Sequence, residues 1–250
     1  MSAFTAEIIG TMLLILFGNG VVANVVLART KGGDGSWLLV SAGWGVAVFV
    51  GAFCAHEFSG AHLNPAISVA MFIAGKMPIG EMFLYMVAQF TGAIIGAVLV
   101  YLFYRQHFDV TEDADAKLAC FGTSPAIPNN LQAFFCEMIG TFALILPIFL
   151  MATPTLMQSG EPVDTDPILG LGSLGLLPVA LLVFGIGMSL GGTTGYAINP
   201  ARDLGPRLVH FLLPIRGKRD SDWGYAWVPV AGPVAGGVLA AVVYLTLSSL

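Results

Sequence analysis

Asparagine, proline and alanine occur together twice in this chain, as Asn64-Pro65-Ala66 within SGAHLNPAISVA and as Asn199-Pro200-Ala201 within TGYAINPARDLG. Proline at the first position of a helix forfeits no hydrogen bond, because the missing N–H would have had no partner, and its fixed φ suits the turn. Asparagine before it is a favoured N-cap, its side-chain oxygen accepting a backbone N–H of the first turn. That bond turns the amide NH₂ away from the helix, with the positive end of the helix dipole behind it. Two such starts brought together would offer donors to whatever passes between them. A water or hydroxyl oxygen accepting from both is oriented and cannot continue a proton wire, and a cation meets an unfavourable potential. The chemistry available to these residues is selection, not bond making.

Elements that could bring them together are legible in the composition. Hydrophobic residues make up 56% of the 250 positions and charged residues only 10%, with a net charge of −5. A soluble domain carries roughly 25% charged residues, so most of this surface faces lipid. No basic stripe suggests a nucleic-acid partner. The three cysteines, Cys54, Cys120 and Cys136, show neither a disulfide framework nor metal-ligand spacing. No cofactor is implied.

A hydrocarbon core needs about 20 apolar residues in a helix, and six stretches qualify: Ala3–Ala28, Trp37–Ala55, Met82–Tyr104, Leu131–Ala152, Ile168–Leu190 and Ala226–Leu247. The first has no basic leader or cleavage site and reads as a span, not a signal peptide. Pro65–Ala74 and Pro200–Leu213 are apolar but only about half the spanning length, as re-entrant segments are. Backbone that turns round at membrane depth is tolerated only inside protein or beside a water-filled cavity. Their shortness therefore predicts a cavity.

The chain reads as one channel domain over 1–250, built from two halves, 1–104 and 131–250, joined by a polar loop over 105–130. Glu7 in AEIIGT is echoed by Glu137 in CEMIGT, and Gly92 and Gly96 by Gly232 and Gly236. The two Asn-Pro-Ala copies stand 135 residues apart, Asn64 to Asn199. Each half is span, span, half-helix, span. Three full spans is an odd number, so the second half enters the membrane upside down, and the half-helices meet near the midplane from opposite faces.

The strings SGAHLNPA and GYAINPARDLGPR resemble the major intrinsic protein family over nearly the whole chain, and within it the glycerol facilitators, or aquaglyceroporins. The resemblance implies an all-α membrane protein, a right-handed bundle of six transmembrane helices plus two re-entrant half-helices with an inverted repeat. It also implies one pore per subunit, a homotetramer in the cell membrane, and both termini in the cytoplasm. The basic residues point the other way: Arg29, Lys31, Arg105, Lys117, Arg216, Lys218 and Arg219 would then lie outside and, of the loop charges, only Lys76 inside.

By the same resemblance the narrowest point is formed by Trp44, Gly187, Tyr196 and Arg202. Arg202 offers a fixed fork of donors able to hold two neighbouring hydroxyls, and Trp44 and Tyr196 make an apolar corner for the carbon side of a polyol. Water-selective relatives usually carry histidine where this chain has Gly187, so a bare glycine implies a wider bore. Glycerol facilitators commonly carry phenylalanine at Tyr196, whose hydroxyl either narrows the filter or offers a hydrogen bond.

The approaches to the half-helices, Gly60-Ala61-His62-Leu63 and Gly195-Tyr196-Ala197-Ile198, are expected to be non-helical and to present carbonyls to the pore. They face an apolar wall including Val48, Leu144 and Val183. Such a pairing suits a solute with hydroxyls on one edge and C–H on the other. Glu7 and Glu137 are expected to brace the carbonyl segments of their own halves, Asp203, which with Arg207, Pro229 and Val230 matches the glycerol-type pattern, to hold its loop by pairing with nearby donors, and His62 to brace as well. His56 and Glu57, less usual for the family, form either a solvated vestibule pair or a pH-sensitive gate.

The function implied is a passive channel for glycerol and other small neutral solutes, with water as co-permeant and protons and ions excluded. The main rival is a coupled secondary transporter, since inverted repeats with broken helices also build those. An enzyme is disfavoured because the intramembrane region offers no convincing nucleophile–base pair or metal cluster.

Overall fold

A computed structural model describes residues 1–152, 157–158, 161–162 and 171–249. The helices are α1 (Ala3–Val26), α2 (Trp37–Ser59), α3 (Pro65–Ile73), α4 (Ile79–Val110), α5 (Ala114–Ala119), α6 (Asn130–Leu150), α7 (Leu177–Leu190), α8 (Pro200–Leu212) and α9 (Val228–Ser248). Six apolar helical stretches are long enough to cross a membrane. The protein is therefore a multi-pass helical membrane protein with α3 and α8 as half-length segments. A pair of two-residue strands, β1 (Met157–Gln158) and β2 (Glu161–Pro162), pairs antiparallel.

Most boundaries fall within four residues of the sequence reading, and three places differ more. The third span was expected to end at Tyr104, but α4 continues to Val110. There Phe108 is fully buried and His107 Nδ1 lies 2.9 Å from the Ala28 carbonyl oxygen, so the extra turns are held by the α1–α2 connection. The connecting loop is not wholly irregular either: Asp113 Oδ1 accepts the N–H groups of Asp115 and Ala116 and starts α5. The fifth span was placed from Ile168, which lies outside the described residues. Within them it opens as a 3₁₀ turn over Gly172–Leu176 and becomes α-helical at Leu177.

Helix α1 packs against α2 and α4, α6 against α9, and α2 against α7 across the molecule. The half-helices lie inside this frame, α3 against α9 and α4, and α8 against α4 and α9. Polarity is inverted relative to a soluble protein. Arg207, Glu7, Glu137 and Gln89 are fully buried, while Phe83, Leu102, Phe103 and Leu181 are exposed on the lipid-facing surface.

Where helices cannot gain from excluding water, close backbone approach does the packing. At Gly236 a Cβ would be driven into the Met138 carbonyl oxygen, with Thr141 Cβ at 2.9 Å. Gly236→Val is accordingly expected to destabilise the α6–α9 pair by about 1–3 kcal/mol, the usual scale of overpacking. A lower unfolding temperature in detergent would register it, and an unchanged one would show that the interface yields.

Candidate pore and selectivity site

The two Asn-Pro-Ala segments meet. Asn64 Oδ1 accepts the Ala66 N–H at 2.9 Å, and Asn199 Oδ1 accepts those of Ala201 and Arg202 at 3.0 and 3.2 Å, so both asparagines cap their helices. Each amide nitrogen then crosses to the other half. Asn64 Nδ2 donates to the Ile198 carbonyl and Asn199 Nδ2 to the Leu63 carbonyl, both at 2.8 Å. One N–H of each NH₂ is thereby fixed, leaving the second for the space between the half-helices. Asn64 and Asn199 line the cavity there, whereas Pro65, Ala66, Pro200 and Ala201 are buried behind them.

The approach segments are strained. Gly60 and Gly195 have positive φ, and so do four residues that rarely tolerate it: Ala61 (55°), Leu63 (51°), Tyr196 (38°) and Ile198 (43°). Each costs on the order of 1–3 kcal/mol and persists only where the surroundings hold it. A buried carboxylate does so in each half. Glu7 accepts the N–H groups of His62 (3.0 Å) and Leu63 (2.8 Å), the Ser59 hydroxyl (2.6 Å) and the Gln89 amide (2.8 Å). Glu137 accepts the N–H groups of Ala197 (2.9 Å) and Ile198 (2.7 Å) and the Thr194 hydroxyl (2.7 Å). His62 Nδ1 lies 3.0 Å from Ser68 Oγ, and its ring packs edge-on against Tyr85.

With N–H groups turned to the carboxylates, carbonyls are left free. Those of Gly60, Ala61 and His62, and of Gly195, Tyr196 and Ala197, accept no hydrogen bond among the described residues. Leu63 and Ile198 depart from the expected acceptor row, because their carbonyls are taken by the asparagines.

Two cavities meet in this region. One, of about 500 Å³, runs from a mouth at His56, Glu57 and Met151 past Gly60–Asn64 and Ala197–Asn199, with Val48, Leu144 and Val183 among its lining residues. The other, of about 900 Å³, opens between Asp113, Asp115 and Arg219 and includes Gly195. Trp44, Tyr196 and Arg202 line both. The Arg202 guanidinium lies over the Trp44 ring, 4.1 Å from its centroid. It is only 6% exposed, and Nη1 has no hydrogen-bond partner. A buried donor without a partner is costly, and the residue that bears it lines both cavities.

Gly187 is brought against Tyr196 but lines neither cavity. A Cβ there would fall 2.7 Å from the Tyr196 hydroxyl oxygen and 3.0 Å from Ser41 Cβ. The glycine is not open bore: the Tyr196 hydroxyl occupies the volume it vacates. That hydroxyl is buried beside Ser41 and shielded from the cavities.

Behind the constriction, Asp203 and Arg207 form a fully buried ion pair, Nε to Oδ1 at 2.7 Å. Asp203 Oδ2 also accepts the Thr123 N–H and hydroxyl, and Arg207 donates to the carbonyls of Thr123 and Ser221. Two loops are thus tied to α8. Lys218 Nζ donates to the carbonyls of Phe211 (2.8 Å) and Leu213 (2.7 Å) at the end of α8, and partial burial pulls its pKa below the ordinary lysine value. Among the described residues no group of His, Cys, Asp and Glu side chains is arranged to hold a metal ion.

Sequence reasoning missed several residues of this site. Ser59, Thr194 and Gln89 carry no motif of their own, although Ser59 and Thr194 each stand five residues before an Asn-Pro-Ala asparagine. The wall residues Leu14, Ile67 and Val179 were hidden among equivalent apolar neighbours.

Known proteins are similar to this chain over nearly its whole length. The family model described as major intrinsic protein matches residues 1–244. A protein of Thermotoga maritima named probable glycerol uptake facilitator protein is 46% identical over 98% of both chains. The glycerol uptake facilitator protein of Bacillus subtilis is 47% identical over 98% of this chain and 84% of its own length. A solved structure, the aquaglyceroporin from Plasmodium falciparum, superimposes with a TM-score of 0.79 at 31% identity, covering 96% of this chain and 93% of that one. With capped half-helices, braced approach segments and a whole-chain match in agreement, the chain belongs to the major intrinsic protein family.

Proposed function

We propose that this protein is a passive transmembrane channel for glycerol and similar small neutral solutes, with water passing alongside and protons and ions excluded. The observation that carries the reading is the junction of the two cavities at Trp44, Tyr196 and Arg202, where the guanidinium makes no hydrogen bond among the described residues and its side chain lines both cavities. A polyol entering there meets Arg202 donors on one side and aromatic faces on the other, which matches hydroxyls and C–H in a single orientation. Beyond the junction the free carbonyls of the approach segments accept its hydroxyl protons, while Val48, Leu144 and Val183 take its carbon edge. At the midplane the second N–H of Asn64 and of Asn199 reaches one oxygen at a time. Glu7, Glu137 and Asp203 act as braces, not as proton carriers.

The inverted-repeat organisation over 1–104 and 131–250 belongs to the same reading, supported by the matched bonds of Glu7 and Glu137 to residues 59, 62 and 63 and 194, 197 and 198. So do a homotetramer with one pore per subunit, supported by the exposed apolar faces, and termini on the side of the His56–Glu57 mouth, in the cytoplasm.

Stopped-flow light scattering on proteoliposomes tests the function. Glycerol flux proportional to its gradient, unsaturated and indifferent to a proton gradient, is the expected result; saturable flux driven by such a gradient would identify a coupled transporter instead. Tyr196→Phe should leave glycerol flux unchanged, since the lost hydroxyl is shielded from both cavities. A clear change in flux would place the hydroxyl in the solute path.

A further inference from the structure

Trp37 opens α2 and is 43% exposed, a position where membrane proteins ordinarily keep an aromatic at the lipid headgroups. Its indole N–H, however, is committed inside the protein. Nε1 donates to the Gly187 carbonyl at 2.8 Å, crossing from α2 to the last turn of α7, where helix carbonyls lack partners of their own. The ring meets Tyr196 edge-on, with centroids 5.9 Å apart and planes at 77°. Gly191 is bare at the same point: a Cβ there would fall 2.5 Å from Tyr196 Cδ1 and 2.8 Å from Trp37 Cζ2. Trp37 also lines the outer cavity with Trp44, Tyr196 and Arg202.

Tyr196 needs such a partner. Its backbone sits at φ 38° and its buried hydroxyl has only Ser41 as a polar neighbour, so polar contacts do little to anchor the side chain. What fixes the ring is packing, on Gly187 at its tip and on Trp37 at its edge. Trp37 is itself pinned by its bond to the same glycine.

We propose that Trp37 is a positioning residue of the constriction, setting how far the Tyr196 ring can withdraw from the bore and hence the widest solute that passes. This rests on the reading of Trp44, Tyr196 and Arg202 as the filter. The side chain acts from behind Tyr196, so its loss should change which solutes pass more than how much glycerol does.

The test measures permeability to glycerol, erythritol and xylitol in proteoliposomes of wild type, Trp37→Phe, Trp37→Ala, Tyr196→Ala and the Trp37→Ala/Tyr196→Ala pair, at matched protein density. Trp37→Ala is expected to raise the xylitol-to-glycerol ratio by about tenfold, the scale on which a pocket distinguishes one methylene. Trp37→Phe, which keeps an aromatic ring but loses the N–H and part of the indole surface, should retain most of the cutoff. In the Tyr196→Ala background Trp37→Ala should add nothing. An unchanged ratio in Trp37→Ala, or an additive effect in the pair, overturns the proposal. If Trp37→Ala does not assemble, Trp37→Leu replaces it and the same outcomes apply. A wild type that conducts no glycerol would sink the channel reading, and a cutoff indifferent to Tyr196→Ala would sink the filter assignment. A cutoff that answers to Tyr196 but not to Trp37 sinks this inference alone.

Discussion

Glu137→Gln is expected to prevent the protein from accumulating as an assembled, conducting channel. The Glu137 carboxylate receives three donors, the N–H groups of Ala197 and Ile198 and the hydroxyl of Thr194, and accepts on both oxygens. A carboxamide presents one acceptor oxygen and an NH₂ that would face a donor. At least one buried N–H is left unpaired, at about 1–3 kcal/mol, and the segment that holds Ile198 in the left-handed region loses part of its anchor. Glu137→Ala removes every bond and should be worse. Yield of monodisperse protein in detergent, followed by glycerol flux per assembled channel, measures the effect. A Glu137→Gln protein that assembles and conducts like wild type would show that the approach segment is held by something other than this carboxylate.

Arg202→Val should leave the fold intact and destroy charge selectivity. Arg202 is the buried cation at the junction of the two cavities, and among the described residues its side chain makes no hydrogen bond. Two unit charges 4 Å apart repel by about 4 kcal/mol at an effective dielectric of 20, which opposes a cation by nearly three orders of magnitude. The helix ends at Asn64 and Asn199 retain part of the barrier, so a rise of at least about tenfold in sodium or proton leak is expected. A pH-sensitive dye trapped in liposomes reports the proton arm, and sodium efflux the other. Leak equal to wild type in both would remove Arg202 from the filter.

The parts of this molecule that could be read from sequence are those written in local signals. The caps at Asn64 and Asn199 need only their own first turns, and the spans need only length and hydropathy, so both were placed to within a few residues, apart from the α4 extension. The carboxylates Glu7 and Glu137 stood out because charge inside an apolar run must have a partner. What stayed hidden depends on contacts between distant segments. Gly187 reads as open space in the sequence, and only the path of the Tyr196 side chain shows that space to be filled. Trp37 stands seven residues before Trp44, which puts both on one face of α2. Yet its bond to Gly187 spans 150 positions and leaves no trace in composition. The extra turns of α4 follow from a docking site on another loop, which periodicity does not encode.

The crossed amides of Asn64 and Asn199 carry a further consequence, for the order in which the chain can be built. The partner of Asn64 lies 134 residues further along, and that of Asn199 lies 136 residues back. A chain emerging from its N-terminus therefore places α3 in the membrane with its cap formed but the outward-facing amide unmatched, until α8 arrives. The first half has no finished pore to offer during that interval, and a truncated product has none at all. Closure of the pore must wait for the second half of the chain, and the same pair of bonds that orders a passing solute requires both halves to be in place.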